Sequence, residues 1–383
     1  MSGMEKIMTD IYFVRHAESF GNLTRRVYGW YDGLVTPKGY AQIETLKKRF
    51  ENIKIDAVYS SDLIRTCETA KAIYEPKGLP LIKEPGFREI GFGVWEDRPW
   101  GELILTSGKE YDAWQSNPLE FRIAGGETYR DVYTRARRAL SRVVSENEGK
   151  SIAIVSHGAA IRMLIHGLRN NDDLTGVGDT EWGDNTCVSH FRFEGGRFTE
   201  IFVNCNEHLR TLDGFDDGMS WVREGGGKNV YFKNARLPDD AEKIFEYHRL
   251  GRGEVFGDEK INFRAVERHV KRLIKKGEEN VVFAYIGDEE IGMAELDPMM
   301  KAYPDAGHIS FVYLKPEYRR KRFGIQLIGH AMSRYKTLGK KYISVRVADS
   351  NKVAGRFYEK YGFREVFRED DGGVLQRVMI LSI

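Results

Sequence analysis

The stretch IYFVRHAESFGN, residues 11–22, constrains the fold most, because its apolar run ends abruptly in an arginine and a histidine. Residues 11–14 have the length and composition of a short buried strand. A guanidinium and an imidazole are costly to bury unless other groups bind or neutralise them. The pattern therefore predicts a buried strand with a polar site at its tip, formed by Arg15 and His16.

Two further apolar runs, residues 57–59 and 152–155, also stop at polar side chains and lead into helical patterns. Strands that alternate with helices predict a mostly parallel sheet with both faces covered, which is an α/β fold of three layers, α/β/α. Ligands bind beyond the carboxyl ends of such strands. The residues expected together at that edge are Arg15, His16, Arg65 and His157.

The length of 383 residues exceeds one ordinary core and predicts two or three domains. Residues 213–229 combine five glycines with scattered charge and almost no periodicity, which is typical of a connector. We therefore expect a first domain at residues 1–212, a linker at 213–229 and a second domain at 230–383.

Composition excludes some classes of partner. The formal net charge of +2 gives no electrostatic reason to expect nucleic acid or a membrane surface. Cys67, Cys187 and Cys205 lack CxxC spacing, which suits a reducing compartment. The first ten residues contain no apolar core of a signal peptide, and the most apolar stretch, residues 152–168, is interrupted by polar residues. These features predict a soluble cytoplasmic protein.

A cluster of two guanidiniums and two imidazoles repels itself and implies a polyanionic ligand, for which phosphate fits best. A histidine held there with an unprotonated nitrogen would act as a nucleophile on phosphorus and carry the phosphoryl group. The leaving alcohol then needs a proton. Glu89 lies in FREIGFGVWED among apolar residues, where desolvation would raise its pKa toward that of a useful general acid.

At this point the chain resembles the histidine phosphatase, or phosphoglycerate mutase-like, superfamily over about residues 7–212. The blocks that carry the resemblance occur in the family's order, and they are RHAESFGN, TPKGYAQ, YSSDLIRTCETA, FREIGFGVWED, GGETYRD and VSHGAAIR. The resemblance implies that His16 is the phosphorylated nucleophile and Glu89 the proton donor. It implies a phosphate pocket formed by Arg15, Asn22, Arg65 and His157. Ala17 replaces the glycine that is usual in the first block.

Phosphatases and mutases of this superfamily share the pocket. The sequences FREIGFGVWED and PLEFRIAGGET are similar to the small phosphatase branch, whereas mutases usually carry an LNERHYG-like sequence near the acid. We therefore expect a phosphatase, with a mutase as the alternative, and a substrate pocket contributed by residues 96–121. No metal or other cofactor is expected in this half.

Two rival chemistries are weaker. A serine-hydrolase elbow at Ser156 would need glycines two residues before and two after it, and Ile154 occupies the first of these positions. The acidic residues Asp172, Asp173 and Asp179 lack metal-ligand spacing and are expected on a solvated surface.

The C-terminal segment begins with a predicted strand at residues 230–233 and a helix at 239–250. Strands at 281–286 and 291–296 are joined by the hairpin signal GDEE, and another strand is expected at 309–314. Basic residues, Arg319 to Arg322, then precede a helix that starts at Gly324. Cations before a helix N-terminus favour anion binding.

This segment resembles the GCN5-related N-acetyltransferase (GNAT) family, which implies a mixed-sheet α+β domain and acetyl-CoA as cofactor. In that family an R-x-x-G-x-G/A loop wraps the pyrophosphate, and here Arg322 replaces the first glycine. NKVAGRFYEKYGF matches the second family block, so Tyr358 is similar to the tyrosine that protonates the departing thiolate. The residues that the resemblance implies for cofactor binding are Leu314, Arg319, Arg320, Lys321, Arg322, Phe323, Gly324 and Asn351.

The base that deprotonates the acceptor amine is open, with His308 favoured over Glu295. Nucleic acid is second to acetyl-CoA as a ligand of the basic loop, because no aromatic residues alternate with the cations. The sequence thus predicts a bifunctional enzyme: a phosphohistidine phosphatase fused to an N-acetyltransferase that modifies a small amine. The alternatives are a mutase in the first half and a GNAT domain that only binds acetyl-CoA; a homodimer is compatible with either.

Overall fold

The computed structural model describes residues 7–212 and 229–383. Its residues cluster into two compact units. The first contains the chain up to Asn22, Val27–Arg98 and the residues from Thr106 to the connector, and the second contains Leu23–Arg26, Pro99–Leu105 and the C-terminal residues. The predicted linker, apart from Asn229, lies outside the described residues, so the predicted domain boundaries stay predictions.

The first half of the chain alternates strands and helices along most of its length. Its strands are β1 (Met8–Arg15), β2 (Ala57–Ser60), β3 (Leu81–Lys83), β4 (Ser151–Ser156), β5 (Val188–Glu194) and β6 (Arg197–Cys205). Its helices are α1 (Phe20–Thr24), α2 (Pro37–Phe50), α3 (Ile64–Tyr74), α4 (Trp100–Thr106), α5 (Gly108–Ser116), α6 (Tyr129–Glu146) and α7 (Gly158–Arg169). Each of the three predicted strands is present, and each extends one to four residues beyond its predicted limits.

The strands of this half form one sheet in the order β3-β2-β4-β1-β5-β6. The neighbours from β3 to β1 run parallel, and β5 and β6 add an antiparallel edge. Ile152 to Ser156 of β4 are all buried, which requires cover on both faces because successive side chains point to opposite sides. The mostly parallel α/β sheet predicted from the sequence is therefore confirmed.

The C-terminal half begins with a strand, two helices and an antiparallel ribbon. Its strands are β7 (Tyr231–Asn234), β8 (Val281–Ile286), β9 (Glu289–Asp297), β10 (Ala306–Leu314), β11 (Tyr342–Ala348), β12 (Arg364–Asp371) and β13 (Val374–Ser382). Its helices are α8 (Ala241–Phe256), α9 (Phe263–Lys275), α10 (Gly324–Thr337) and α11 (Lys352–Lys360). The hairpin between β8 and β9 and the start of α10 at Gly324 agree with the sequence.

The second sheet has the order β12-β13-β11-β10-β9-β8-β7. Among the described strands of this sheet, only β10 and β11 run parallel, so the predicted mixed sheet is confirmed. Their parallel pairing runs from Ala306–Tyr342 to Ile309–Val345 and then stops, although both strands continue. An irregularity between Ile309 and Phe311 accompanies this separation and leaves an open edge inside the sheet.

None of the described helices is long and apolar enough to cross a membrane.

Helix α6 begins with a reciprocal capping box. The Thr128 hydroxyl accepts a hydrogen bond from the backbone N–H of Asp131 at 3.1 Å, and the Asp131 carboxylate accepts one from the N–H of Thr128 at 2.8 Å. Two amides that lack intrahelical partners are thereby satisfied.

We expect Thr128→Ala to lower the opening free energy of α6 by about 1 kcal/mol, because one capping acceptor is lost. Hydrogen exchange of the α6 amides measures this locally, which matters because a chain of two units need not unfold in one step. Thr128→Ser keeps the hydroxyl and serves as the control. Equal protection in the Thr128→Ala variant and the unaltered protein would contradict the assignment.

Candidate active sites

His16 and His157 lie side by side because they follow neighbouring parallel strands. Arg15, the last residue of β1, pairs with Ser156, the last residue of β4. The His16 N–H donates to the carbonyl of Ser156 at 2.9 Å, and the two imidazole centroids are 5.2 Å apart. The strand register thus brings together two residues that are far apart in the sequence.

One ring nitrogen of His16 is fixed as a donor. Nδ1 lies 2.7 Å from the backbone carbonyl oxygen of Ala17, which can only accept a hydrogen bond, so Nδ1 carries the hydrogen. In the neutral ring, Nε2 therefore keeps its lone pair. His16 is 4% exposed, and the bond to its own chain neighbour holds the ring in place.

His157 is fully buried and acts as the N-cap residue of α7. Its Nε2 lies 2.9 Å from the hydroxyl of Ser61, which follows β2. Its Nδ1 is also buried and has no hydrogen-bond partner among the described residues. A buried polar atom without a partner is rare and indicates a place that a ligand completes.

Two buried guanidiniums complete the cluster. Arg65 is 1% exposed, and its Nη1 and Nη2 donate to the carbonyls of Tyr31 at 3.1 Å and Gly29 at 2.7 Å. Arg15 donates through Nη1 to the carbonyl of Gly183. Backbone carbonyls thus orient both cations and offset part of their desolvation without neutralising them.

This surrounding keeps both imidazoles unprotonated. Burial lowers the pKa of His16 well below its ordinary value of 6.5, and the charges of Arg65 and Arg15 lower it further. Burial and the Arg65 charge lower the pKa of His157 in the same direction. A neutral ring with a free Nε2 lone pair is the form of His16 that can attack an electrophile.

The carboxylate of Glu89 lies at the N-terminus of α7, beside the backbone of Ala159 and Ala160. Its carboxylate accepts hydrogen bonds from the N–H groups of Ile90 at 3.0 Å, Ala159 at 3.1 Å and Ala160 at 3.3 Å. The apolar neighbours expected from the sequence are buried, but the half-buried Glu89 itself faces backbone amides. Sequence reasoning did not identify these backbone donors at the start of α7.

Arg135 on α6 fixes the backbone that carries Glu89. Its Nη1 donates to the carbonyls of Gly86 at 2.9 Å and Arg88 at 2.7 Å, and its Nη2 donates to that of Glu89 at 2.7 Å. Glu127 holds the same guanidinium by bonds of 2.8 Å to Nε and Nη2. No sequence signal singled out Arg135, because the carbonyls that it holds lie more than forty residues away.

Asn22 stands at the edge of this cluster. Its Oδ1 accepts from the backbone N–H and the hydroxyl of Ser19, each at 3.1 Å. Asn185, which sequence reasoning did not identify, donates to the carbonyl of His16 at 2.8 Å. Within the segment expected to form the substrate pocket, Glu96 accepts bonds from the N–H groups of the loop at residues 29–31, so it orders that loop.

In the second unit, the loop of cations lies between β10 and α10. Arg320, Lys321 and Arg322 are exposed, whereas Phe323 is buried. Arg322 adopts a φ of 62°, the left-handed conformation that glycine takes without strain, at the position where the family has its glycine. Arg319 is held by the Leu314 carbonyl at 2.7 Å and by Glu254 at 2.8 Å.

Two residues predicted to contact the cofactor lie on α11 or at its start. Asn351 is the N-cap residue, and its Oδ1 accepts from the N–H of Ala354 at 3.0 Å. Tyr358 is half-buried beside Phe363, and burial raises its pKa to about 12, so the phenol keeps its proton. Their roles toward a cofactor stay predictions.

The two candidate bases, His308 and Glu295, differ in their surroundings. His308 is 3% exposed and bonds the Ser344 hydroxyl at 3.0 Å, and burial lowers its pKa to about 4. The ring of His308 therefore does not face solvent. Glu295 is fully buried, with its Oε1 2.7 Å from Nε2 of His248.

Comparison with known proteins identifies the families to which the two parts of the chain are similar. The model of the histidine phosphatase superfamily (branch 1) matches residues 11–206, and that of the acetyltransferase (GNAT) family matches residues 243–363. The chain therefore belongs to the histidine phosphatase superfamily and continues into a GNAT acetyltransferase domain. Both are families of enzymes that act on small molecules, and the GNAT domain implies the use of acetyl-CoA.

The relatives of the first half include both phosphatases and mutases by name. "Putative phosphoserine phosphatase 2" of Hydrogenobacter thermophilus is 29% identical over 54% of this chain and 100% of its own. "Probable phosphoglycerate mutase GpmB" of Yersinia pestis is 33% identical over 42% of this chain and 75% of its own. The solved structure of Bacillus stearothermophilus YhfR matches with a TM-score of 0.51 and 28% identity, over 52% of this chain and 99% of that one.

We expect Arg135→Lys to lower kcat for a phosphomonoester by about tenfold to a hundredfold, with little change in KM, because a small displacement of Glu89 is costly. Lysine keeps the charge but cannot hold three carbonyls and a carboxylate together. Arg130→Lys on the same helix, where an exposed guanidinium pairs with Glu120, is the matched control. Equal kcat in both variants would contradict a positioning role for Arg135.

Proposed function

We propose that the first unit hydrolyses small phosphomonoesters through a phosphohistidine formed on His16. The observation that carries the proposal is the pair of neutral, buried imidazoles, 5.2 Å apart, between the guanidiniums of Arg15 and Arg65. Buried cations beside unprotonated histidines favour a phosphate group as ligand. The unpartnered Nδ1 of His157 supports the same choice of ligand.

In the first step, the Nε2 lone pair of His16 attacks phosphorus as the bond from phosphorus to the ester oxygen breaks. The leaving alkoxide takes a proton from Glu89. The guanidiniums stabilise the charge that develops on the phosphoryl oxygens, which is the larger contribution to catalysis.

In the second step, water attacks the phosphoryl group on His16. Glu89, now ionised, accepts a proton from that water as the bond between nitrogen and phosphorus breaks. Inorganic phosphate leaves, and the imidazole returns to its neutral form. The hydrogen bond from Nδ1 to the Ala17 carbonyl keeps the ring oriented through both steps.

Hydrolysis is preferred to phosphoryl transfer between two positions of one substrate. The motif FREIGFGVWED is similar to the small phosphatase branch, and the relative with full-length coverage carries a phosphatase name. A mutase is the alternative, since other relatives carry that name.

We also propose that the second unit transfers the acetyl group of acetyl-CoA to a small amine. The residues present fit this ligand: exposed cations precede the N-terminus of α10, whose first amides have no intrahelical partners, and a pyrophosphate needs such donors. The open edge between β10 and β11 offers unpaired backbone groups to the rest of the molecule. Tyr358, protonated at neutral pH, can donate to a departing thiolate.

The fusion supports a shared substrate as a hypothesis. A phosphorylated amine would lose its phosphate in one unit and be acetylated in the other. O-Phosphoserine is a suitable probe because it contains both groups. Turnover of unrelated substrate sets by the two units would reject the shared substrate.

We expect His16→Ala to abolish phosphate release from O-phosphoserine or whichever phosphomonoester is turned over fastest, because no nucleophile remains. Glu89→Gln should slow phosphorylation of His16 by about 10² to 10⁴ for an ester with a poor leaving group, since the proton donor is lost. A nitrophenyl ester needs less protonation and should be affected less.

Phosphorus NMR distinguishes the two reactions with 3-phosphoglycerate as a second probe. Inorganic phosphate as the product supports hydrolysis, and 2-phosphoglycerate formed in the presence of a bisphosphate primer supports the mutase. Ordinary phosphate release by His16→Ala would refute the nucleophile.

For the second unit, we expect calorimetry to detect acetyl-CoA binding and Tyr358→Phe to bind it equally well while acetyl transfer slows by about 10²-fold or more. Phe363→Leu, which alters the ring beside Tyr358, controls for packing. Binding of acetyl-CoA without transfer to any amine would reduce this unit to a binding module.

A further inference from the structure

In the second unit, a buried carboxylate lies between two histidines. None of these three residues belongs to the two GNAT blocks recognised in the sequence. Glu295 on β9 is fully buried, and its Oε1 lies 2.7 Å from Nε2 of His248 on α8. Its Oε2 lies 3.5 Å from Nε2 of His269 on α9 and has no hydrogen bond among the described residues. A fully buried carboxylate rarely keeps an oxygen without a hydrogen bond, so this arrangement needs an explanation.

The two histidines differ in whether both ring nitrogens have hydrogen-bond partners. The Nδ1 of His269 lies 3.1 Å from a guanidinium nitrogen of Arg272, which can only donate, so Nδ1 of His269 is an acceptor and its Nε2 carries the hydrogen. That Nε2 faces the Ser310 hydroxyl at 3.3 Å and Glu295. Both nitrogens of His269 are therefore engaged within the protein, which holds the carboxylate in place.

His248 has a different setting. Its Nε2 donates to Glu295, and no hydrogen bond to its Nδ1 is recorded among the described residues. The side chain is 18% exposed, whereas that of Glu295 is 1% exposed. Phe311 stacks on the imidazole with ring centroids 4.3 Å apart and planes at 13°. A substrate can therefore reach Nδ1 of His248 but not the carboxylate.

His248 lies near the open edge between β10 and β11. Phe311 belongs to the part of β10 that has separated from β11. Further along α8, Glu254 bonds the hydroxyl of Tyr313 and the guanidinium of Arg319 at the start of the basic loop. Helix α8 thus follows β10 from His248 to the cations that favour a pyrophosphate.

We infer that His248 is the general base of the acetyl transfer and that Glu295 is the residue that orients it and stabilises its charged form. This inference rests on the proposed acetyltransferase function. The acceptor amine gives a proton to Nδ1 of His248 as its nitrogen bonds the acetyl carbon. The bond from that carbon to sulfur breaks, and the thiolate takes a proton from Tyr358.

Charge supports the pairing of Glu295 with an imidazolium. Burial by itself raises the pKa of Glu295, but the hydrogen bond from His248 and the nearby imidazole of His269 outweigh burial, and the pKa is lowered overall. The carboxylate is thus held ionised, with an oxygen that still lacks a full partner. The described residues include no group of three or more His, Cys, Asp or Glu suited to a metal ion.

The experiment measures acetyl transfer from acetyl-CoA in the full chain to a panel of spermidine, lysine, serine and glucosamine. We expect His248→Gln to lower kcat by about 10² to 10⁴, as loss of a general base does, with unchanged acetyl-CoA binding by calorimetry. Glu295→Gln should lower kcat comparably, and the double variant should be no slower than His248→Gln, because the two residues act as a unit. Arg249→Gln, an exposed neighbour on α8, is the matched control and should keep full activity.

Nitrogen NMR of labelled histidines provides a measure that does not depend on turnover. Neutral His248 should carry its hydrogen on Nε2. A hydrogen on Nδ1, or full activity of His248→Gln, would overturn the inference. Absence of acetyl-CoA binding by the unaltered protein would refute the proposed function instead, and the tautomer would still decide whether Glu295 orients His248.

Discussion

The parallel pairing of β1 with β4 is the constraint on which the phosphate site depends. Because Arg15 pairs with Ser156, the next residues, His16 and His157, leave the sheet side by side. A shift of one residue in this register would turn every side chain of β1 to the opposite face and separate the imidazoles. The buried strand cores, with Ile11, Phe13 and Ile154 almost fully covered, fix that register through the hydrophobic effect.

Around this pairing, the site is organised by backbone groups as much as by side chains. Carbonyls orient Arg65, Arg15 and the ring of His16, and amides of α7 hold Glu89. The basic groups are therefore arranged before any ligand arrives, and little reorganisation is needed when a phosphate binds. Buried cations beside unprotonated imidazoles destabilise such a site by themselves, and a bound anion would relieve that repulsion.

Both units place a helix N-terminus near basic residues, but in different arrangements. In the first, parallel strand ends and the N-terminus of α7 meet at a cluster of cations and histidines. In the second, the one parallel pair, β10 and β11, separates after Ile309, and the N-terminus of α10 follows a basic loop. In both proposed sites, helix amides and nearby cations would bind phosphate oxygens, but only the first contains a proposed nucleophile.

The sequence by itself predicted seven of the strands, the strand-end positions of His16 and His157, and the basic loop before Gly324, because apolar periodicity and turn residues report local structure. It did not determine which distant groups hold these residues. Arg135 reaches Glu89 across 46 positions and His248 reaches Glu295 across 47. It also left His308 as the favoured base, although tertiary packing buries that ring. Such pairings depend on how helices lie on the sheet, and only the tertiary structure decides them.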